Sequence, residues 1–142
     1  MRFIDQYNKR QPDFLIELNL EQSQEKIHHD ILEFCKQYEP EVLIAEGKEA
    51  DCVIDILPEL GLSYGGLILK YPTRQEFPLD KLKAYLKQMP NARYSVRFVL
   101  SQDHPQFSAL NALFVILDEN IDFETHVNQL LHTYFLIGMN EE

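Results

Sequence analysis

The spacing of apolar residues changes period several times along the 142-residue chain. In DFLIELNL (13–20), Phe14, Ile16, Leu18 and Leu20 alternate with Leu15, Glu17 and Asn19. That alternation predicts a strand, or else an extension of the element that follows. From Ser23 the period lengthens. Ile27, Ile31, Phe34, Cys35 and Tyr38 recur at i, i+4, i+7, i+8 and i+11, one face of an amphipathic helix. Ser23 suits its N-cap and Pro40 ends it.

Three short strands are expected next. EVLIAE (41–46) puts Val42 and Ile44 on one face. Residues 51–57 put Cys52, Ile54 and Ile56 opposite Asp51, Val53, Asp55 and Leu57. GGLILKY (65–71) is the third. GKEA, with Gly47, reads as a hairpin turn between the first two, and PELGLSYGG as a longer loop. Pro78 then opens a helix, LDKLKAYLKQM, with an apolar stripe of Leu79, Leu82, Leu86 and Met89. Lys81, Lys83 and Lys87 face away from that stripe, and Pro90 closes the helix. RYSVRFVL (93–100) alternates as a strand, SQDHPQFS is a loop, and LNALFVIL (110–117) reads as a buried strand. The chain closes with a helix capped by Asp122, its stripe formed by Val127, Leu130, Leu131, Tyr134 and Phe135.

The predicted order is therefore (β)-α-β-β-β-α-β-β-α. This is an α+β fold: a mostly antiparallel sheet of five or six strands with three helices on it. The length predicts one domain spanning residues 1–142. No repeat, linker or low-complexity tract divides it.

Charge adds information about partners. The net charge is −10. Residues 1–69 hold 14 acids and 6 bases, residues 70–97 hold 2 and 7, and residues 98–142 hold 7 acids and no base. Most of such a surface repels phosphates, so nucleic acid is a poor partner. A protein with a basic or amphipathic surface fits better. MRFIDQYNKRQPDF carries no apolar run like that of a signal peptide, and no stretch approaches the ~18 apolar residues of a membrane span. No membrane contact is expected, and a bacterial-type cytoplasm is the expected compartment.

Candidate chemistry is sparse. The eight residues ADCVIDIL (50–57) bring together Asp51, Cys52 and Asp55. On a strand, Cys52 points away from the two carboxylates and into the core. Asp51 and Asp55 then share an acidic outer face with Glu41, Glu46, Glu49 and Glu59, and Asp118 and Glu119 make a second acidic patch. These eight acids are the expected partner-binding surface. His28 and His29 are adjacent and diverge on a helix, and Glu25, His29 and Glu33 share one helical face. Gly65-Gly66 lacks the spacing of a phosphate loop. No nucleophile elbow or zinc motif occurs, so no catalytic residue, cofactor or metal is assigned.

The helix EKIHHDILEFCKQY, the series EVLIAE, DCVIDIL and GGLILKY, the Pro-led PLDKLKAYLKQM and the ending LNALFVILDENIDFETHVNQLL carry a resemblance. In element order and acidity, over roughly four-fifths of the chain, they resemble the YbjN-like family and the related class of type III secretion chaperones. The resemblance implies a small, acidic, non-enzymatic protein that binds other proteins and is often a homodimer. It carries over no residue-specific site. The expected function is a protein-binding module of chaperone or adaptor type. Two alternatives stand beside it. One is an immunity protein that inhibits a basic toxin such as a nuclease. The other is a small ligand-binding domain or enzyme using Asp51 and Asp55.

Overall fold

A computed structural model describes residues 1–4, 14–38, 42–60, 66–117, 119, 120 and 125. Two short strands, β1 (Arg2–Ile4) and β2 (Phe14–Leu15), precede the long helix α1 (Gln24–Tyr38). Then follow β3 (Val42–Glu46), α2 (Lys48–Asp55), α3 (Leu57–Leu60) and β4 (Gly66–Lys70). The chain continues with α4 (Leu79–Gln88), the single turn α5 (Ala92–Ser95), β5 (Val96–Val99), α6 (Phe107–Asn111) and β6 (Val115–Leu117).

The six strands form one sheet in the order β2-β1-β3-β4-β5-β6. β3, β4, β5 and β6 are parallel, and the antiparallel pairings, β1 with β2 and β1 with β3, lie at one end. The fold is thus α/β. The expected mostly antiparallel α+β sheet with three helices is incorrect, because six helical segments occur among the described residues. Parallel neighbours cannot be joined by a tight turn and need a crossover, usually helical.

The decisive error lies at residues 51–57. They form α2 and α3, not a strand. The run satisfies two periods at once. Cys52, Ile54 and Ile56 alternate, but Ala50, Val53, Ile54 and Leu57 also fall at i, i+3, i+4 and i+7, and all six residues are buried. The helical period wins because β4 lies parallel to β3, so the chain must cross back between them. GKEA is accordingly not a hairpin: Gly47 links β3 to α2, and Lys48, Glu49 and Ala50 form the first turn of that helix. Gly47 sits there at φ 59° and ψ −124°, a backbone region essentially open only to glycine.

Other boundaries shift for related reasons. The expected strand at 13–20 shrinks to Phe14–Leu15, pairing with β1, an element the apolar pattern did not reveal. Residues 92–95 turn helically before β5, and α6 occupies part of the expected loop and of the strand at 110–117. Helix α1 matches its expected span, with Ser23 Oγ accepting a hydrogen bond from Lys26 N at 3.3 Å. β3, β4 and α4 also appear where expected. The terminal helix, like Glu41 and Asp118, lies outside the described residues.

The main core fills one face of the sheet. Leu43, Ala45, Leu67, Leu69, Val96 and Phe98 meet residues from all six helical segments, among them Ile31, Val53, Leu57, Leu82, Ala92 and Leu110. Phe98 is its centre, edge-on to Phe77 at 5.7 Å and to Phe114 at 5.3 Å between ring centroids. A second buried cluster, Val42, Ile44, Ile68, Val99 and Leu117, occupies the opposite face. The described helices therefore all lie on one side of the sheet.

Candidate functional site

Helix α2 begins one residue after β3, so its first turns stand at the carboxyl edge of the sheet. Asp51 and Asp55 are one turn apart on it and project to the same side. The segment leaving β4 passes beside them. Tyr71 adopts a positive φ of 51°, with its ring exposed, and redirects the chain so that Thr73 and Arg74 reach α2. Arg74 spans both carboxylates. Its Nε is 3.3 Å from Asp51 Oδ1, and its Nη2 is 2.8 Å from Asp55 Oδ1 and 2.6 Å from the Asp51 carbonyl oxygen. Thr73 Oγ1 donates to Asp51 Oδ2, and Arg74 N donates to Asp51 Oδ1 at 3.4 Å. On the far side His28 Nε2 lies 4.0 Å from Asp55 Oδ2. This is a clamp between α2 and the β4–α4 segment. Its carboxylates act as acceptors for a fixed guanidinium, which leaves little room for acid–base work.

Cys52 lies between the two acids in sequence but points into the core, with 7% of its surface exposed. Burial pushes its thiol pKa up, and the Asp55 and Asp51 carboxylates push it further. Cys35, on the core side of α1, is pushed by burial to about 12. Both thiols are therefore protonated at neutral pH and poor nucleophiles.

Among the described residues, two concave features accompany the clamp. The first is a groove of ≈ 250 Å³ between α2–α3 and α4. Ile54, Leu57, Leu82 and Tyr85 form its apolar floor. Asp55 and Glu59 stand on one wall, and Lys81 and Gln88 on the other. Burial raises the Tyr85 pKa to about 12, so its phenol stays neutral. The second is an open cleft of ≈ 410 Å³ over the carboxyl ends of β5 and β6, where Ser101, Gln102, Asp103, Glu119 and Asn120 surround Phe107 and Ile116. Gln106 holds the neighbouring loop in place, its side-chain oxygen accepting from Phe77 N and its backbone N donating to His104 Nδ1 at 3.1 Å.

The six described acids of the eight selected from the sequence do not form one surface. Among those described, Glu46 ends β3 and lies 3.5 Å from Lys70 across the sheet. Glu49 meets the Met1 ammonium at 3.0 Å. Asp51 and Asp55 belong to the Arg74 clamp, Glu59 to the groove and Glu119 to the second cleft. Their scatter follows from α2 being a helix, which turns successive residues about 100° apart instead of aligning them as a strand does. His29, Glu25 and Glu33 are exposed on α1. Among the described residues no three His, Cys, Asp or Glu side chains converge as a metal site, and no helix is long and apolar enough to cross a membrane.

Sequence reasoning missed Arg74, Thr73 and the α4 wall of the groove. Only the shared side of Asp51 and Asp55 at i and i+4 hinted at a common partner, and that hint needed the helical reading of 48–55. No family model matches the chain, and no curated protein or solved structure matches it.

Proposed function

We propose that this chain is a non-enzymatic protein-binding module of chaperone or adaptor type, acting in the cytoplasm on partners with a basic or amphipathic surface. One observation carries the reading: the groove between α3 and α4 has an apolar floor and charged walls, on which the Glu59 and Lys81 side chains have no partner among the described residues. Apolar contact holds a partner while rim charges select it and speed encounter. Two further features agree with it. The carboxylates at the first-chosen site are occupied by Arg74 and Thr73. The parallel strands also follow chain order with the described helices on one face. Such a sheet lacks the reversal point at which doubly wound folds open a ligand crevice.

Peptide display against the folded protein tests the proposal. Selected peptides are expected to bind the native chain and to lose binding when Ala84→Trp fills the groove. Failure to enrich any peptide that binds the folded chain sinks the proposal. A second reading, small-ligand binding, is favoured by the cleft over β5 and β6 and no longer involves Asp51 and Asp55. It predicts that small cationic amines raise the melting temperature and that Asp103→Asn with Glu119→Gln abolishes the effect.

A further inference from the structure

Resting on the protein-binding reading, we infer that the α3–α4 groove receives a short linear segment of a partner protein. Its chemistry is a large apolar anchor residue with a Lys or Arg on one flank and an Asp or Glu on the other.

The size of the groove sets the class of occupant. At ≈ 250 Å³ it lies below the range of about 300–1,000 Å³ typical of pockets that enclose a drug-sized ligand. It suits a side chain inserted from outside. Its lining residues run along α4 from Pro78 to Gln88, about 15 Å at 1.5 Å per residue. That length matches four or five residues of extended chain, at about 3.3 Å each. The segment is therefore short, and its anchor sits over Leu57, Leu82 and Tyr85.

Charge sets the flanks. The Glu59 side chain, on the α3 wall, is exposed and makes no hydrogen bond or ion pair among the described residues. Lys81 on the opposing α4 wall is likewise exposed and unengaged. Asp55 contributes further negative charge to the Glu59 wall, offset by its contact with Arg74. An occupant lying between them meets a carboxylate on one side and an ammonium on the other. Opposite charges on its two flanks are favoured, and like charges facing either wall are repelled. Among the described residues neither Glu59 nor Lys81 has to leave a partner to engage.

The experiment is selection from a random twelve-residue peptide display library on the native chain, repeated on Glu59→Lys and Lys81→Glu. Both substitutions sit on the exposed surface, and a thermal melt of each confirms folding. Native selection is expected to enrich a large apolar residue flanked by one basic and one acidic residue. Glu59→Lys is expected to weaken the native-selected peptides about tenfold, near 1.4 kcal/mol, and to enrich acidic flanks on both sides instead. Lys81→Glu is expected to enrich basic flanks on both sides. Peptides that bind the native chain but ignore Glu59→Lys, Lys81→Glu and Ala84→Trp would overturn the groove assignment while leaving a binding module intact elsewhere. No binding peptide at all would overturn both.

Discussion

Arg74→Met removes the guanidinium that ties α2 to the β4–α4 segment and keeps an apolar stem of similar length. The side chains involved are partly exposed, at 18% for Arg74, 20% for Asp51 and 38% for Asp55. Fully exposed ion pairs contribute about 0–1 kcal/mol. Breaking a buried pair costs about 3–5 kcal/mol, because an orphaned charge remains. Here the orphaning is incomplete: Asp51 keeps Thr73 and the Arg74 backbone N–H as donors, and Asp55 is open to water. The expected loss is therefore about 2 kcal/mol, between those limits. Unfolding entropy of about 2.1 cal/mol/K per residue gives about 0.3 kcal/mol/K for this chain, so the melting temperature should fall by about 7 °C. Urea titration and calorimetry measure it. A double-mutant cycle with Asp55→Asn should return a coupling of about 1 kcal/mol. A loss below about 0.5 kcal/mol, within the range of an ordinary surface substitution, would refute the clamp as a stabilising device.

Three more perturbations probe the rest of the fold. Gly47→Ala forces a side chain onto a backbone at φ 59° and ψ −124°, and should cost about 1–3 kcal/mol in urea titration. Phe98→Ala empties the centre of the aromatic cluster and should cost about 3–5 kcal/mol, whereas Tyr94→Ala, on the exposed surface, should cost far less. Stability should be insensitive to the Cys35 thiol and Tyr85 phenol below pH 9 and should fall above it. The unfolded chain loses these protons near the ordinary values of 9.0 and 10.0, while the native state holds them to about 12. Each group therefore withdraws up to about 1.4 kcal/mol per pH unit across that window. Cys35→Ala should flatten the part beginning at pH 9, and native thiol labelling at pH 8 should be slow at both cysteines until urea is added.

The elements most legible in the sequence are those whose two signals agree. In α1 the apolar stripe, the Ser23 cap and the Pro40 stop all point to a helix, and α4 has its own stripe between Pro78 and Pro90. β3 and β4 are apolar runs too short for anything but strands. Residues 50–57 failed because β-branched residues at alternate positions mimic a strand while the same run also carries a helical stripe. Only the parallel pairing of β3 with β4, a long-range fact, decides between them. β1 was missed because three residues are too few to show a period. Asp51 and Asp55 stand out in the sequence, but Arg74 meets them across a crossover, at a sequence distance where no local pattern operates. The groove is harder still, since its two walls come from segments read as a strand and a helix with no reason to be adjacent.

The order of the strands also bears on how the chain folds. β4, β5 and β6 each pair with the strand directly before them along the chain. Each pairing closes a single crossover, and closure entropy grows only slowly with loop length. Once β3 and β4 meet, the sheet extends by adding the next strand and its helix, with no gap left for a later strand to enter. β1 is the exception. Its inner partner is β3, reached only after β2 and the whole of α1, so it makes the longest-range pairing on its side of the sheet. Contacts of that range are the slow ones. Substitutions at the β3–β4 contact should therefore slow folding, whereas those at the β1–β3 contact should mainly hasten unfolding.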